Sequence, residues 1–148
     1  MAYDSEADTR KHMDRVQSLV LEFVKRIKYA VWDHDKSKLE SPEKETFDEY
    51  TPKLKGSTYG SDEYKEFLKG MDVALKHHYA NNRHHPEHFD NGINDMTLID
   101  LLEMLCDWKA ATERHADGSI TKSLEINKGR FGISDQLFKI LENTCKLF

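Results

Sequence analysis

The chain has 148 residues, of which 33% are charged, and its formal net charge is -5, which fits one soluble domain long enough to bury an apolar core. The acidic balance argues against a broad nucleic-acid-binding surface, which needs a basic excess, but it leaves a local basic patch open. Residues 1–10 are polar and acidic, unlike a secretory signal, and no apolar run approaches membrane-spanning length. These features predict a cytoplasmic protein.

Apolar residues recur at three- and four-residue steps, which predicts an all-α, single-domain helical bundle over residues 1–148 with about five to seven helices. The first helix is predicted from about Ser5 or Asp8 to about Val31. Its inward stripe comprises Val16, Leu19, Val20, Phe23, Val24, Ile27 and Val31. His12 lies on the same stripe, four residues before Val16, although a lone histidine near a helix start is more often structural.

The adjacent residues His34 and Asp35 follow this helix in a predicted loop. An imidazole and a carboxylate side by side can both turn toward one divalent cation, and histidine is the commonest metal ligand in proteins. The doublet also occurs by chance, so its weight comes from other polar groups at predicted inward positions: His12, His78 and Asp107. Polar groups at such positions are unfavourable unless they are paired or bind a metal.

The next predicted helix runs from Ser41-Pro42 to about Tyr50. A loop is predicted over 53–60, and a further helix, capped by Ser61, runs from Asp62 to Tyr79. The inward face of the second comprises Tyr64, Phe67, Leu68, Met71, Leu75 and His78. His78 by itself is typical of a histidine that interacts with the helix C-terminal dipole. Together with His34 and Asp35, it becomes a candidate site residue.

A polar loop is predicted over 80–94, with a helical turn at Pro86. It contains the run His84-His85-Pro86-Glu87-His88. These histidines are either solvated loop residues or groups at the mouth of a metal site, where they would bind phosphate, protonate a leaving group or hold a second metal. Arg83 is a better candidate for neutralising phosphate oxygens than the surface lysines near His34.

The most hydrophobic predicted helix runs from Thr97 to about Asp117 and should be central and buried. Three of its carboxylates share one face: Asp100, Glu103 and Asp107. This face is either solvated or a group of acids that requires a cation. Thr97 and Asp100 fit a capping box, which makes Asp107 the better ligand candidate and leaves Asp100 as the alternative. Glu103 would support a ligand from behind, orient water or shuttle a proton.

Two shorter helices are predicted, one from about Ile120 to Lys128, stopped by Gly129, and one from Asp135 to Lys146.

Cys106 and Cys145 are predicted to be buried thiols of a reducing compartment, although a disulfide between them remains open. The terminal pair Leu147-Phe148 would serve either internal packing or the contact of a homodimer.

The order His12, His34-Asp35 and Asp107 on a helical scaffold resembles the HD-domain superfamily of metal-dependent phosphohydrolases. The distal aspartate lies in the matching run Cys106-Asp107-Trp108-Lys109-Ala110-Ala111. The pairs His77-His78 and His84-His85 are similar to the extra histidines of members that bind two metals. The phrases HDKSK, NRHHPEHF and LLEMLCDWKAA resemble a small, uncharacterised bacterial and viral HD-like family over about Arg10 to Thr144, which implies relatedness but no particular activity.

The resemblance implies a divalent cation held by His12, His34, Asp35 and Asp107. Nitrogen and carboxylate donors without thiolates suit manganese, iron, cobalt, nickel or zinc, with magnesium a further option. The implied activity is hydrolysis of a nucleotide or another small phosphoester by activated water. Further catalytic roles are predicted for Glu103, His78, His84, His85 and Arg83.

Two other kinds of function remain open. A non-catalytic module would bind a nucleotide or a metal in order to sequester or regulate it, and product formation separates this alternative from an enzyme. A purely structural all-α interaction protein would bind no metal, so a chelator would leave its melting temperature unchanged.

Overall fold

The structure is a computed structural model that describes residues 3–57, 61–114, 116 and 118–148. Within these residues there are seven α-helices and no β-strand, which confirms the all-α prediction. The helices are α1 (Ser5–Trp32), α2 (Glu43–Gly56), α3 (Asp62–Gly70), α4 (Asp72–Asn81), α5 (Leu98–Thr112), α6 (Ile120–Phe131) and α7 (Asp135–Cys145). Short 3-10 helices span Lys36–Leu39, Pro86–His88 and Gly92–Asp95. No helix in this described part is both long and apolar enough to cross a membrane.

Side-chain caps set the starts of most helices. The capping side chains belong to Asp4, Ser61, Thr97, Ser119 and Ser134. Each accepts a hydrogen bond from a backbone N–H in the first helical turn, where no intrahelical partner exists. The predicted box at the start of α5 is confirmed, because the Thr97 and Asp100 side chains each accept from the other's backbone N–H.

The apolar core lies where α5, α6 and α7 pack together. Its centre is formed by four buried side chains: Leu105, Leu124, Ile133 and Leu141. On its other sides α5 packs against α1, while α2, α3 and α4 contact one another as a second group of helices. The prediction that α5 is central and buried is therefore confirmed.

The first helix differs from its prediction in burial, although its bounds agree closely. None of the residues of α1 is buried, and only Ile27 and Ala30 are half-buried. These two residues lie in the last turns, near the end of the helix that packs on α5. The apolar stripe upstream of them is exposed rather than part of the core.

The predicted helix over 62–79 is two helices that meet at Gly70 and Met71. The break brings Gly70 against Tyr50 of α2, where a Cβ atom would lie 2.3 Å from the tyrosine Oη and 2.5 Å from Cζ. A larger residue does not fit this close approach. The apolar pattern alone does not show the break, because Phe67, Leu68 and Met71 keep helical spacing across it.

Other helix ends are also displaced from their predicted positions. Helix α2 continues past Tyr50 and contains Pro52. Helix α6 passes through Gly129 and ends at a cap on Gly132, whose φ of 62° favours glycine. Helix α5 ends at Thr112, and its predicted end at residue 117 lies outside the described residues, as does the end of the loop predicted over 53–60.

The two thiols also differ from their prediction. Cys106 is exposed rather than buried, and Cys145 is half-buried. Both are free, so no disulfide joins them. Cys145 packs against the apolar core, and neither thiol forms a cross-link.

We predict that Gly70→Ala lowers the free energy of unfolding by about 1–3 kcal/mol, because the added methyl group would overpack Tyr50. The measurement is urea unfolding followed by circular dichroism. Gly129→Ala is the matched control, because Gly129 is also helical and has no atom within 4 Å of an added Cβ. It should be neutral or stabilise by up to about 1 kcal/mol, as expected for alanine in an open helical position. Equal effects of the two substitutions would contradict this packing argument.

Candidate metal centre

Imidazole and carboxylate groups converge where the end of α1, the end of α4, the loop after α4 and the middle of α5 meet. The first group of donors comprises Asp35, His78, His84 and His85. The second comprises His34, His84 and Asp107. Within each group the donor atoms lie within 4.8 Å of one another, and His84 belongs to both. We call the six residues together the donor cluster.

The first group has the spacing of ligands around one ion. His78 Nε2 lies 2.8 Å from His85 Nε2 and 3.3 Å from Asp35 Oδ1. His84 Nε2 lies 3.5 Å from the same Asp35 oxygen. Metal–ligand distances of about 2.0–2.2 Å place neighbouring ligand atoms roughly 3 Å apart, which is close to these separations.

The second group is more open to solvent. His34 Nε2 lies 3.7 Å from Asp107 Oδ1 and 3.6 Å from Asp35 Oδ2. The His34 and His84 rings have centroids 4.3 Å apart. The His34 and Asp107 side chains retain 30% and 23% of their exposure, whereas His84 is almost fully buried. Solvent and small molecules therefore approach the cluster from the side of His34 and Asp107.

Two buried atoms in this cluster have no hydrogen-bond partner. Among the described residues, Asp35 Oδ1 and His84 Nε2 are the buried side-chain polar atoms in that condition. Each faces the other donors of the first group. An unpartnered buried polar atom is unfavourable, and an ion bound between such atoms satisfies both of them at once. The residues present therefore fit a divalent cation.

Glu103 orients two of the histidines. Its Oε1 lies 2.9 Å from His34 Nδ1 and 3.1 Å from His84 Nδ1. We assign the Nδ1 protons to these contacts, which directs each Nε2 toward the donor cluster, where a bound cation would displace the Nε2 proton. These contacts fix the two histidine rings, a common role of carboxylates beside metal ligands, and they fit the supporting role predicted for Glu103. Its predicted roles in orienting water or shuttling a proton stay predictions.

Glu43 orients two further histidines, His77 and His78. It was not among the residues predicted from the sequence. Its side chain is fully buried at the start of α2 and lies 2.8 Å from His78 Nδ1 and 2.7 Å from His77 Nδ1. The His78 Nε2 lone pair is thereby directed at Asp35 and His85. Nothing in the local sequence distinguishes Glu43 from the neighbouring surface acids, because its burial arises only when α2 packs on α4.

The backbone of Asp35 adopts an uncommon conformation. Its φ is 57°, in the left-handed region that few residues other than glycine enter. Aspartate tolerates this region better than most residues, and such conformations cluster at functional sites. Here it places the carboxylate inside the cluster at the start of the Lys36–Leu39 turn.

The charge states of the cluster suit a cation. Burial raises the pKa of Glu103, but hydrogen bonds from His34 and His84 outweigh this and lower it to about 2. Burial and the neighbouring His84 and His78 lower the pKa of His85 to about 3, so its imidazole is neutral. Hydrogen bonds to Asp107 and Glu103 raise the pKa of His34 to about 10. The site thus combines ionised carboxylates with a neutral imidazole donor and favours positive charge.

The structure does not bring His12 to this cluster. His12 lies in an exposed part of α1, more than five helical turns before His34, and contributes to neither donor group. Of the four predicted ligands, His34, Asp35 and Asp107 come together. Their further partners are His78, His84 and His85, which were predicted as catalytic residues.

Arg83 is already paired within the protein. Its Nε and Nη2 donate to the two carboxylate oxygens of Asp100 at 3.0 and 3.1 Å. Asp100 is buried, and it also accepts from the Thr97 backbone and hydroxyl. The contact anchors the loop after α4 to the start of α5. Because the Arg83 side chain is still 54% exposed, the phosphate contact predicted for it stays a prediction.

Among the described residues, three cavities border the donor cluster, and the smallest, of about 240 Å³, lies at His34 and Asp107. One of about 450 Å³ lies between α5 and α6 and includes His85 and Asp107 in its wall. The same wall contains Lys122, Arg130 and the ring of Trp108. Another of about 460 Å³ lies beside α1 and reaches His84 and Glu103. The two larger volumes fall within the range of small-molecule sites.

The sequence was compared with protein families, curated proteins and solved structures. A model described as a family of unknown function, DUF5662, matches residues 1–147. No curated protein and no solved structure matches the chain.

We predict that a divalent metal raises the melting temperature of chelator-treated protein, because an ion held by the donor cluster binds only the folded state. Ion at about 100 times its dissociation constant adds roughly 2.7 kcal/mol, or about 5–11 °C for a chain of this size. His84→Ala should abolish the shift, measured by calorimetry, whereas His12→Ala should retain it. An unchanged shift in His84→Ala, or its loss in His12→Ala, would assign the ion to another place.

We also predict that the effect of Asp100→Asn depends on pH. Burial raises the pKa of Asp100, but hydrogen bonds from Arg83 and Thr97 outweigh it, so the folded pKa lies below the usual value. The stabilisation is therefore complete above about pH 3.9 and is lost as pH falls through the folded pKa. Asp100→Asn should cost about 1–3 kcal/mol at neutral pH, with the difference shrinking in acid. Urea unfolding at several pH values measures this, and the exposed Asp90→Asn is the control, whose effect should be small.

Proposed function

We propose that this chain, which belongs to the DUF5662 family, is a metal-dependent phosphohydrolase that acts on a nucleotide or another small phosphoester. The expected compartment is the cytoplasm, or the host cytoplasm for a viral member, where a thiol such as the exposed Cys106 stays reduced. The proposal rests on the donor cluster and on the cavities beside it.

The observation that carries the proposal is the pair of unpartnered buried atoms, Asp35 Oδ1 and His84 Nε2. Burying a carboxylate oxygen and an imidazole nitrogen without partners is unfavourable. The same two atoms belong to a group of four donors at ligand spacing. A cation held between these donors would satisfy both atoms, and a metal-dependent enzyme requires such a site.

The donor types narrow the choice of metal. Three imidazoles and one carboxylate, with no thiolate, suit zinc, iron, cobalt, nickel or manganese better than magnesium, which prefers an all-oxygen environment. A cation of this kind supplies Lewis acidity, which activates water and polarises a phosphoryl oxygen. These are the chemical requirements of phosphoester hydrolysis.

The protein's own groups have separable roles in this proposal. Glu43 and Glu103 hold the histidine rings in the orientation that directs Nε2 into the cluster. His34 and Asp107 lie on the accessible side, where they can hold or transfer a proton beside the substrate. His78 and His84 are buried, so their role is to bind the cation rather than to meet the substrate.

The cavity between α5 and α6 is the best place for the organic part of the substrate. It adjoins His85 and Asp107, and it offers the Trp108 ring as an apolar wall. Lys122 has no ion-pair partner in the described part of the chain, while Arg130 pairs with Glu87 at 2.7 Å. A cation without a partner near the donor cluster supports a negatively charged substrate.

The likeness to HD-domain phosphohydrolases supports the same chemistry through His34, Asp35 and Asp107. The likeness fails at the first ligand of the family's order, because His12 lies outside the donor cluster. We therefore propose a ligand set that draws its remaining imidazoles from α4 and the loop that follows it. The phosphate contact predicted for Arg83 stays part of this proposal, because its side chain is 54% exposed beside its contact with Asp100.

We predict that metal-loaded protein releases phosphate or a nucleoside from at least one member of a panel of nucleotides and simple phosphoesters. Asp35→Asn should abolish release, because it removes a charged donor while keeping a residue that tolerates the left-handed backbone. Lys122→Ala should raise KM severalfold with little change in kcat. Product is measured by chromatography, with metal content determined in parallel.

The control for this assay is Asp72→Asn, a surface carboxylate whose ion-pair partner among the described residues is Lys76 on the same helix. It should leave turnover and metal content unchanged. Tight binding of a nucleotide that stays intact on long incubation would favour the sequestering module over the enzyme. Absence of bound metal in the wild type, together with turnover in Asp35→Asn, would contradict the proposal.

A further inference from the structure

The cavity beside α1 combines a buried polar wall with two arginines. Its volume of about 460 Å³ lies within the range of small-molecule sites. The buried part of the wall comprises Asn82, His84, Asp100 and Glu103. Arg26 lines the cavity from α1, and Arg83 lines it from the loop after α4. Two guanidinium groups from separate segments therefore border one space, an arrangement suited to an anion.

The carboxylates of this wall are already paired within the protein. Three of them line the cavity: Asp33, Asp100 and Glu103. The first accepts a hydrogen bond from Lys36, the second accepts from Arg83, and the third contacts two histidines. None is left as an isolated negative charge that would repel an anionic ligand.

The two arginines keep hydrogen-bond donors for a ligand. Arg26 is exposed and forms no ion pair or hydrogen bond among the described residues. Glu22, the acid that its charge influences, pairs with Lys25 at 2.9 Å. Arg83 donates through Nε and Nη2 to Asp100, which fixes its guanidinium and leaves Nη1 without a described partner. A guanidinium held in place loses little further freedom when it binds a phosphate.

Aromatic rings extend the cavity along α1. Tyr29 lines this cavity and also a neighbouring one of about 340 Å³. The rest of that second wall comprises Lys25, Lys28 and Trp32. Tyr29 and Trp32 lie three residues apart on the helix and keep 76% and 77% of their surface exposed. Exposed rings beside cations suit a ligand that carries both a planar base and a phosphate, because the base stacks while the cations neutralise the phosphate.

We infer that the cavity beside α1 binds a nucleotide other than the substrate, with its phosphate between Arg26 and Arg83 and its base against Tyr29. The inference goes beyond the proposed function, because it adds a ligand to the substrate that the cavity between α5 and α6 would hold. The two share the phosphate contact of Arg83, which lines the cavity beside α1 and not the one between α5 and α6. An occupant would also lie against Glu103, which orients two histidines of the donor cluster.

The test is calorimetric titration of the chelator-treated full chain with adenosine monophosphate and, separately, with inorganic phosphate. Without metal the donor cluster neither holds a phosphate through an ion nor hydrolyses the ligand, so the measured binding reports the cavity beside α1. Both ligands should bind. The nucleotide should bind at least about fivefold more tightly, because the base adds stacking that phosphate lacks.

Two substitutions separate the phosphate contact from the base contact. Arg26→Gln should weaken both ligands severalfold, whereas Tyr29→Ala should weaken the nucleotide and leave phosphate unchanged. Arg15→Gln and Phe23→Ala are the matched controls and should bind as the wild type does. Arg15 is an exposed arginine about 16 Å upstream of Arg26 on α1, and Phe23 is an exposed ring about 120° from Tyr29, as follows from 1.5 Å and 100° per residue. Neither control residue lines the cavity.

Far-UV circular dichroism shows that each variant remains helical. Absence of nucleotide binding by the chelator-treated wild type would overturn the inference, and so would equal losses in Arg15→Gln and Arg26→Gln. Phosphate affinity that falls with Tyr29→Ala as much as nucleotide affinity does would reject the base contact. A single-stranded oligonucleotide that binds where adenosine monophosphate does not would assign this surface to a different ligand. Hydrolysis by metal-loaded protein without any of this binding would reject the inference and keep the proposed function, and binding without hydrolysis would do the reverse.

Discussion

A buried network of imidazoles and carboxylates joins helices that otherwise share little apolar contact. Glu43 of α2 and Glu103 of α5 approach the cluster from opposite sides and fix the Nδ1 atoms of the histidines between them. Polar groups at such depth are tolerated only when each finds a partner. The partners come from α2, α4, α5 and the loops after α1 and α4, so these segments must assemble together. The position of the donor cluster thus follows from the same contacts that hold the two groups of helices in place.

The network also accounts for the conformations around it. Asp35 occupies the left-handed region because its carboxylate must face His78 and His84 while the chain turns away from α1. The Arg83–Asp100 contact holds the histidine loop against the start of α5. Each of these features is local, yet each serves to bring Nε2 atoms and carboxylate oxygens to one point. Two atoms at that point lack partners, which is the physical reason to expect an ion there.

Parts of the site were predictable because they are encoded by short-range patterns. Asp107 and Glu103 stand out as acids on an apolar helix, and the structure brings both to the donor cluster. The capping box accounts for Asp100 without a functional role. Glu43 was not predictable, because its burial depends on packing between α2 and α4. His12 was predicted to lie in the interior because it shares the apolar stripe of α1. That stripe is exposed in the structure, so His12 is exposed as well. Helical spacing reports that a face is apolar and does not report what covers it.

The sequence by itself determined the helical class of this protein, the starts of most helices through their capping side chains, and the residue types suited to a divalent cation. Those properties depend on interactions over a few residues, such as backbone capping and apolar periodicity. Only the tertiary structure decided which histidines meet, that Glu43 and Glu103 orient them, and that most of α1 lies outside the core. These outcomes arise from contacts between residues far apart in the chain, such as Glu43 with His78, and local sequence carries no record of such distances.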